Sequence, residues 1–414
     1  MAPVVHRETC RMCGSRDLQP LLEMTPTPPG DHYVTADALN KPQPAYPLTL
    51  VMCGACGLAQ LPDVVDPELL YRDYIYNTSI SLGLVQHFDN YAEAVVQRVG
   101  PRSGSLMVDI GSNDGTLLRA FAKRGLRVLG IDPARDVARK ATEAGLETVP
   151  NFFSGAMAAG LRRERGAASI ITANNVFANV DDLDDLMTGV RTMLAPDGVF
   201  VFETGYFPDL VRQRIIDNIY QEHLSYYAVK PLLAFFPRHG MELVAVDHEP
   251  TKGGSIRGFV RHAGAANPPW GNGTLHALIQ QETEGGFDRP ETLAWFTEGV
   301  EQLRDDVIAL AADLRARGRT LAGYGASVGV TTLLYYFDMG RILTFVVDDN
   351  PLRHGRFTPG QHLPVLSSDA LYERRPDDVL VFAWRYAEPI MRRHEAYRQN
   401  GGRFILPLPG ISVV

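Results

Sequence analysis

The chain has 414 residues, 45% hydrophobic and 21% charged, a size that exceeds one ordinary core and predicts two or three domains. Its formal net charge of −8 excludes a broad nucleic-acid-binding surface but leaves room for a local basic pocket that takes a small phosphate ligand. No apolar run nears the roughly 18 residues of a membrane span, and the opening "MAPVVHRETCRMCG" lacks a signal peptide's apolar stretch, so the expectation is a cytoplasmic protein that contacts no membrane.

The first predicted element is a metal knuckle pair. The chain's four cysteines read Cys10-x-x-Cys13 and Cys53-x-x-Cys56, each pair followed by glycine ("CRMCG", "CGACG"). Each CxxC turn presents two thiolates from one side, which is what a tetrahedral Zn²⁺ requires. Disulfides are disfavoured in the cytoplasm, and a redox dithiol leaves the second matched pair unexplained. Four thiolates leave no open coordination position, so the zinc is expected to be structural. The proline-rich 39 residues between the pairs predict an inserted loop.

From Ser105 the pattern changes to strands alternating with helices. "SLMVDIGSNDGTLLRAFAKRG", "LRVLGIDPARDVARKATEAG" and "ASIITANNVFANVDDLDDLMTGVRTML" each read as strand then helix, and "DGVFVFETGYF" as a further strand. This predicts an α/β fold with a doubly wound, mostly parallel sheet. Asp109 ends the first strand, and Gly111 lets the following backbone, with Asn113, approach a ligand. Asp132, next to Pro133, ends the second strand about twenty residues later, where a carboxylate can accept both hydroxyls of a ribose. The turn "DIGSNDG" lacks the GxGxxG triplet that cradles a pyrophosphate. It resembles instead the first motif of class I S-adenosylmethionine (SAM) methyltransferases. On that resemblance "PNFFS", with Asn151 and Phe152, flanks the adenine, and "TANNVFANV", with Asn174 and Asn175, closes the methionine side.

The CxxC…CxxC front end, "DIGSNDGTLL", "ANNVFAN" and "ETGYF…YQEHLSYY", in that order, resemble sugar C-methyltransferases along essentially the whole chain. Such enzymes methylate C-3 of nucleotide-linked 4-keto-6-deoxysugars, as in tetronitrose biosynthesis. Forming a carbon–carbon bond from SAM needs a carbanion equivalent, hence a base beside the ketone and a donor to the enolate oxygen. In "NIYQEHLSYY" His223 is the candidate base, Glu222 a carboxylate to orient that imidazole or a substrate hydroxyl, and Tyr220 the donor. The resemblance places catalytic roles on these three and on Tyr76 of "YIYNTSIS", with Ser79 nearby for substrate. Where relatives read "NVFAHI", this chain has Asn179, which can hydrogen-bond but cannot carry a proton away.

The last third repeats a strand–glycine loop–helix in "TLAGYGASVGV", followed by "LTFVVDDN" and "DVLVFAW". Relatives often carry a lysine in that loop, which this chain lacks. Tyr324 and Ser327, with Lys252, Gly254, Ser255 and Arg257 of "TKGGSIRG", are the expected contacts to a TDP- or GDP-linked sugar. The expected division is a zinc-binding segment over 1–70, a SAM-binding domain over 71–250 and a C-terminal Rossmann-like domain over 251–414, in a monomer or small homo-oligomer. "RPETLAWFTEGVEQLRDDVIALAADLRARG" predicts a helix leading into the last sheet. Two rival readings remain at this stage. One is an NAD-dependent nucleotide-sugar oxidoreductase using the second glycine loop; the other is a non-catalytic zinc-containing binding subunit.

Overall fold

A computed structural model describes residues 3–72, 78–80, 83–265, 270 and 273–414. Three larger sheets and a two-stranded antiparallel ribbon, Val4–His6 with Asp63–Val65, organise them, and two of the larger sheets lie where the strand–helix alternation predicts. The middle sheet contains β1 (Leu106–Ile110), β2 (Arg127–Ile131), β3 (Thr148–Val149), β4 (Ala168–Asn174), β5 (Leu194–Gly205), β6 (Met241–Glu249) and β7 (Ser255–His262). Their order is 3-2-1-4-5-7-6, with β7 antiparallel to both neighbours and the other pairs parallel. Every residue of β1 is buried, because helices cover both faces of a central parallel strand. The hairpin β6–β7 straddles residue 250. The boundary expected there therefore cuts through a ladder of hydrogen bonds, and the middle sheet takes its last strand from beyond it.

The C-terminal sheet has strands Leu321–Tyr324, Val346–Val347, Val365–Leu366, Asp378–Val381, Arg403–Leu406 and Ser412–Val413. The first five are parallel, and the order reverses between Leu321–Tyr324 and Asp378–Val381. The long helix Ala294–Ala316 leads into it and buries Phe296, Val300, Leu303, Val307, Ala311 and Leu314, a spacing of three and four that makes one apolar face.

The third sheet is antiparallel. The segment between the cysteine pairs, expected as a loop, supplies its two long strands, Leu18–Thr27 and Tyr46–Cys53. Ala59–Gln60 adds a short strand, and the fourth is Ser225–Tyr226, from the tyrosine-rich run more than 160 residues later. Leu22 and Leu50 of this sheet share one core with Ile216, Ile219, Leu321 and Val346. Cys10 and Cys53 pack into a second core with Val108 and Phe200 of the middle sheet. The zinc segment is thus wedged between the other two units. Among the described residues no helix is long and apolar enough to cross a membrane.

Candidate active site

The two cysteine knuckles are built alike. Gly14 and Gly57 take left-handed φ of 75° and 78°, and their amides donate to the carbonyls of Cys10 (2.9 Å) and Cys53 (2.8 Å). A β-carbon is strained at such φ, which explains the glycine after each pair. The four sulfurs lie within 4.8 Å of one another, with Cys10–Cys56 and Cys13–Cys53 each at 3.6 Å. A ZnS₄ tetrahedron with Zn–S near 2.3 Å has edges of about 3.8 Å, so the thiolates fit that ion.

The glycine loop after β1 forms a ligand-facing cradle. Gly111 has φ 73°, and a β-carbon there would lie 2.2 Å from Val176 Cγ2. Asn113 also adopts a left-handed φ of 49°, and its amide donates to Asp132 Oδ2 (2.8 Å), while the Ala134 amide donates to Oδ1 (2.9 Å). These bonds fix the carboxylate at the crevice between loop and strand end. Burial raises the Asp132 pKa against that pull, and raises Asp109, behind the loop, to about 7. Asp109 accepts from the Thr172 hydroxyl (2.5 Å). Asn174 is buried beside the Tyr91 hydroxyl, and neither its oxygen nor its nitrogen makes a well-formed hydrogen bond among the described residues. A buried amide in that state is suited to a polar ligand group, as SAM's methionine end would supply. Asn175 takes φ 55° beside it, and its amide donates to the Glu203 carbonyl. At the other end Phe152 lies under the Arg72 guanidinium, 4.7 Å from the ring centroid, and the exposed Asn151 accepts from the Phe152 amide. Arg72 also donates to the carbonyls of Pro133 (3.4 Å) and Pro150 (3.5 Å). The turn at Thr78–Ser79 covers the loop: Asn113 Oδ1 accepts from the Thr78 amide and Asp114 Oδ2 from the Ser79 amide. The residues present fit SAM.

In the tyrosine-rich run, His223 Nδ1 lies 2.9 Å from the Asn218 carbonyl and Nε2 lies 2.9 Å from the Tyr220 hydroxyl. A carbonyl only accepts, so Nδ1 carries the proton and Nε2 is left with its lone pair, receiving the Tyr220 O–H. Burial, opposed by the Asn218 bond, lowers the His223 pKa to about 4, so the imidazole is neutral near pH 7. Burial, followed by the charge of Glu222, raises Tyr220 well above the usual phenol range and keeps it a donor. The Tyr71 hydroxyl donates to the Glu222 carbonyl (3.3 Å) and meets the Asn179 side chain. Lys252 is exposed and adopts a left-handed φ of 53° in the turn before β7. Desolvation by the neighbouring protein lowers its ammonium pKa, and Glu203, Arg385 and Glu222 are in electrostatic reach. The structure thus brings together Tyr220, Glu222, His223, Asn179 and Lys252. Tyr76 lies outside the described residues.

The zinc segment holds this run at Gln221, Leu224, Ser225 and Tyr226. Gln221 Nε2 donates to Thr27, Leu224's carbonyl accepts from the Leu61 amide, and Ser225 and Tyr226 pair with Gln60 and Ala59. Tyr71, Arg72 and Arg11 were not among the sequence candidates. Tyr71 and Arg72 belong to the aromatic stretch "LYRDYIY", which the sequence reading entered only at Tyr76.

Other expected substrate contacts are used differently. Arg257 is buried in β7, donates twice to Glu203 Oε2 (3.0 and 2.7 Å), reaches Glu249 and lies 4.3 Å over Tyr91. With its fork engaged by carboxylates, it is a fold contact and does not present a charge to phosphate. The buried Ser255 hydroxyl donates to the Thr251 carbonyl. Gly254 is packed so that a β-carbon would lie 2.2 Å from Asp209 Oδ2. Tyr324 is buried with its hydroxyl on Asp349 (3.0 Å) and His394 (3.1 Å). Ser327 is exposed at the start of its helix.

Family models match the chain in three stretches: a zinc-binding domain over 10–71, a methyltransferase domain over 85–246 and a C-methyltransferase C-terminal domain over 250–409. C-methyltransferase NovU of Streptomyces niveus is 31% identical over 408 residues, covering 98% of this chain and 97% of that one. The chain belongs to the C-methyltransferase family. Within it, this C-methyltransferase is SAM-dependent and carries an N-terminal zinc-binding domain. A ubiquinone biosynthesis O-methyltransferase of Ralstonia nicotianae is 29% identical over 111 residues, 26% of this chain and 47% of that one. Among solved structures, magnesium protoporphyrin IX methyltransferase of Synechocystis covers 44% of this chain and 80% of its own at 13% identity and a TM-score of 0.33.

Proposed function

We propose that this C-methyltransferase acts at C-3 of a TDP- or GDP-linked 4-keto-6-deoxysugar, with His223 as the base. The observation that carries the reading is the neutral His223 with Nε2 free of its own proton, held by the Asn218 carbonyl and faced by Tyr220. The ketone acidifies the neighbouring C–H, and Nε2 takes that proton as the electron pair moves toward the carbonyl oxygen. For this the Tyr220 hydroxyl turns from Nε2 to the ketone oxygen when the sugar binds, which frees the Nε2 lone pair and gives the developing oxyanion a desolvated donor. SAM supplies an electrophilic methyl group on a sulfonium. The enolate carbon forms the new C–C bond as the S–CH₃ bond breaks, and the proton stays on His223. Asn179 and Lys252 orient the polar substrate, and Glu222 sets the local charge. Tyr76 and Ser79 complete the substrate contacts on this reading.

The test uses a panel of TDP- and GDP-linked 4-keto-6-deoxysugars with SAM, read by mass spectrometry for a product heavier by one methylene and by NMR for the carbon. His223→Asn should lower methylation by about 10²–10⁴-fold and abolish exchange of the C-3 proton with deuterated solvent. Exchange at the wild-type rate in that variant would place the base elsewhere.

A further inference from the structure

Arg11 lies inside the first cysteine knuckle, between two thiolates, yet its guanidinium points away from them. It is buried, 4% exposed, and each of its nitrogens is engaged. One terminal nitrogen donates to the Leu224 carbonyl (2.6 Å) and to Gln60 Oε1 (3.3 Å). The other donates to the Leu61 carbonyl (2.9 Å), and Nε donates to Asp181 Oδ1 (3.2 Å). Its own amide donates to Gln60 Oε1 (3.1 Å).

These partners are neighbours of the reacting groups. Leu224 follows His223, and Asp181 lies two residues beyond Asn179. The Leu224 amide donates to the Ala178 carbonyl (2.8 Å), so the catalytic run and the Asn179 loop are already joined at this point. Leu224's carbonyl receives both the Leu61 amide (3.0 Å) and Arg11, which uses both of its lone pairs. Arg7 adds a second bond to Asp181 Oδ1 (2.9 Å). A planar fork satisfied on three sides transmits the position of one partner to the others, because bending any of the bonds leaves a buried donor unpaired.

We propose that Arg11 is a positioning residue, through which the zinc knuckle fixes the catalytic run at His223 and the loop bearing Asn179. The inference rests on the reading of His223 as the base, and its test needs no sugar substrate. The full-length chain is prepared as wild type, Arg11→Lys and Arg11→Met. Zinc content is measured by metal analysis, SAM affinity by calorimetry, and the His223 ring by ¹H–¹⁵N NMR across pH. Wild type should titrate near 4. In Arg11→Met the midpoint should move toward the ordinary value of about 6.5 as water enters beside the loosened run, with Arg11→Lys between the two. Zinc should stay at about one per chain and the SAM Kd within about twofold, since neither site loses a ligand. If Arg11→Met does not fold, Asp181→Asn weakens the same fork from its far side and should shift the midpoint in the same direction. An unmoved His223 midpoint in these variants overturns the proposal. So does joint loss of zinc, SAM binding and the His223 shift, which marks a purely structural arginine. Failure of the sugar assay alone would fall on the substrate reading and leave this result standing.

Discussion

The chain carries two glycine loops built on one plan and puts them to opposite uses. In the middle sheet the Gly111 amide donates to the Ile131 carbonyl (2.7 Å), and Asp132 receives the amides of Asn113 and Ala134. In the C-terminal sheet the Gly325 amide donates to the Val347 carbonyl (2.7 Å), and Asp348 receives those of Ala326 (2.6 Å) and Asn350 (2.8 Å). What surrounds them differs. Near the first loop, Asn174 at the end of β4 makes no well-formed hydrogen bond among the described residues. The second is filled by the chain itself: Tyr33 donates to the Ala326 carbonyl (2.6 Å), Thr331 to the Gly30 carbonyl (3.0 Å) and Thr332 to the Ile219 carbonyl (2.9 Å). Gly329 is pressed so close that a β-carbon would meet the Asp217 carbonyl oxygen at 2.0 Å. That position is a seat for the segment leading to His223. A nucleotide-type loop is therefore a geometry, and its use depends on what is packed against it.

Zinc removal gives the largest expected effect, because the zinc segment supplies Gly30 and Tyr33 to the second loop and pairs with the run that supplies Asp217 and Ile219. Structural zinc is worth roughly 10 kcal/mol or more in small domains. Chelation or Cys53→Ser should therefore lower thermal stability sharply and release residues 30–33 and 216–223 to proteolysis before the SAM-binding unit. Equal protection of both regions after chelation would break the asymmetry.

Paired glycine substitutions come next. Gly111→Ala adds a β-carbon at positive φ against Val176 and should weaken SAM binding by about 1–3 kcal/mol, read by calorimetry. Gly329→Ala should leave SAM affinity in the folded fraction unchanged and lower stability by about 1–3 kcal/mol through overpacking, read by denaturant titration. The paired aspartates sharpen the same contrast. Asp132→Ala should cost SAM affinity about 1.5–3 kcal/mol for a lost charge-assisted bond. Asp348→Ala should lower stability and spare SAM binding.

A pH effect is confined to a window. Above about pH 6.5 His223 is neutral both folded and unfolded. As pH falls toward its folded value of about 4, the unfolded chain takes a proton that the folded one refuses, so stability is lost in that window. Asp109 has the opposite sign. Its pKa is raised from 3.8 to about 7, so its contribution is present at low pH, falls as pH rises above the ordinary carboxylate value and is gone once pH has passed through about 7. Denaturant midpoints of His223→Asn and Asp109→Asn against pH separate the two, and parallel curves for both variants would refute the assignment.

The sequence by itself determined what short-range chemistry controls. The knuckles are legible because four residues and a positive-φ glycine make each one, and Asp132 is legible because it ends a strand beside a glycine turn. The tyrosine-rich run declared its residue types for the same reason. Tertiary structure alone decided which of these became a site. Arg11 meets Leu224 across 213 positions, Gln221 meets Thr27 across 194 and Tyr71 meets Glu222 across 151. No periodicity links such pairs. Arg257 shows the converse: its charge suited phosphate on paper, but the register of β5 against β7 sets it opposite Glu203, and a buried guanidinium takes the nearest carboxylate.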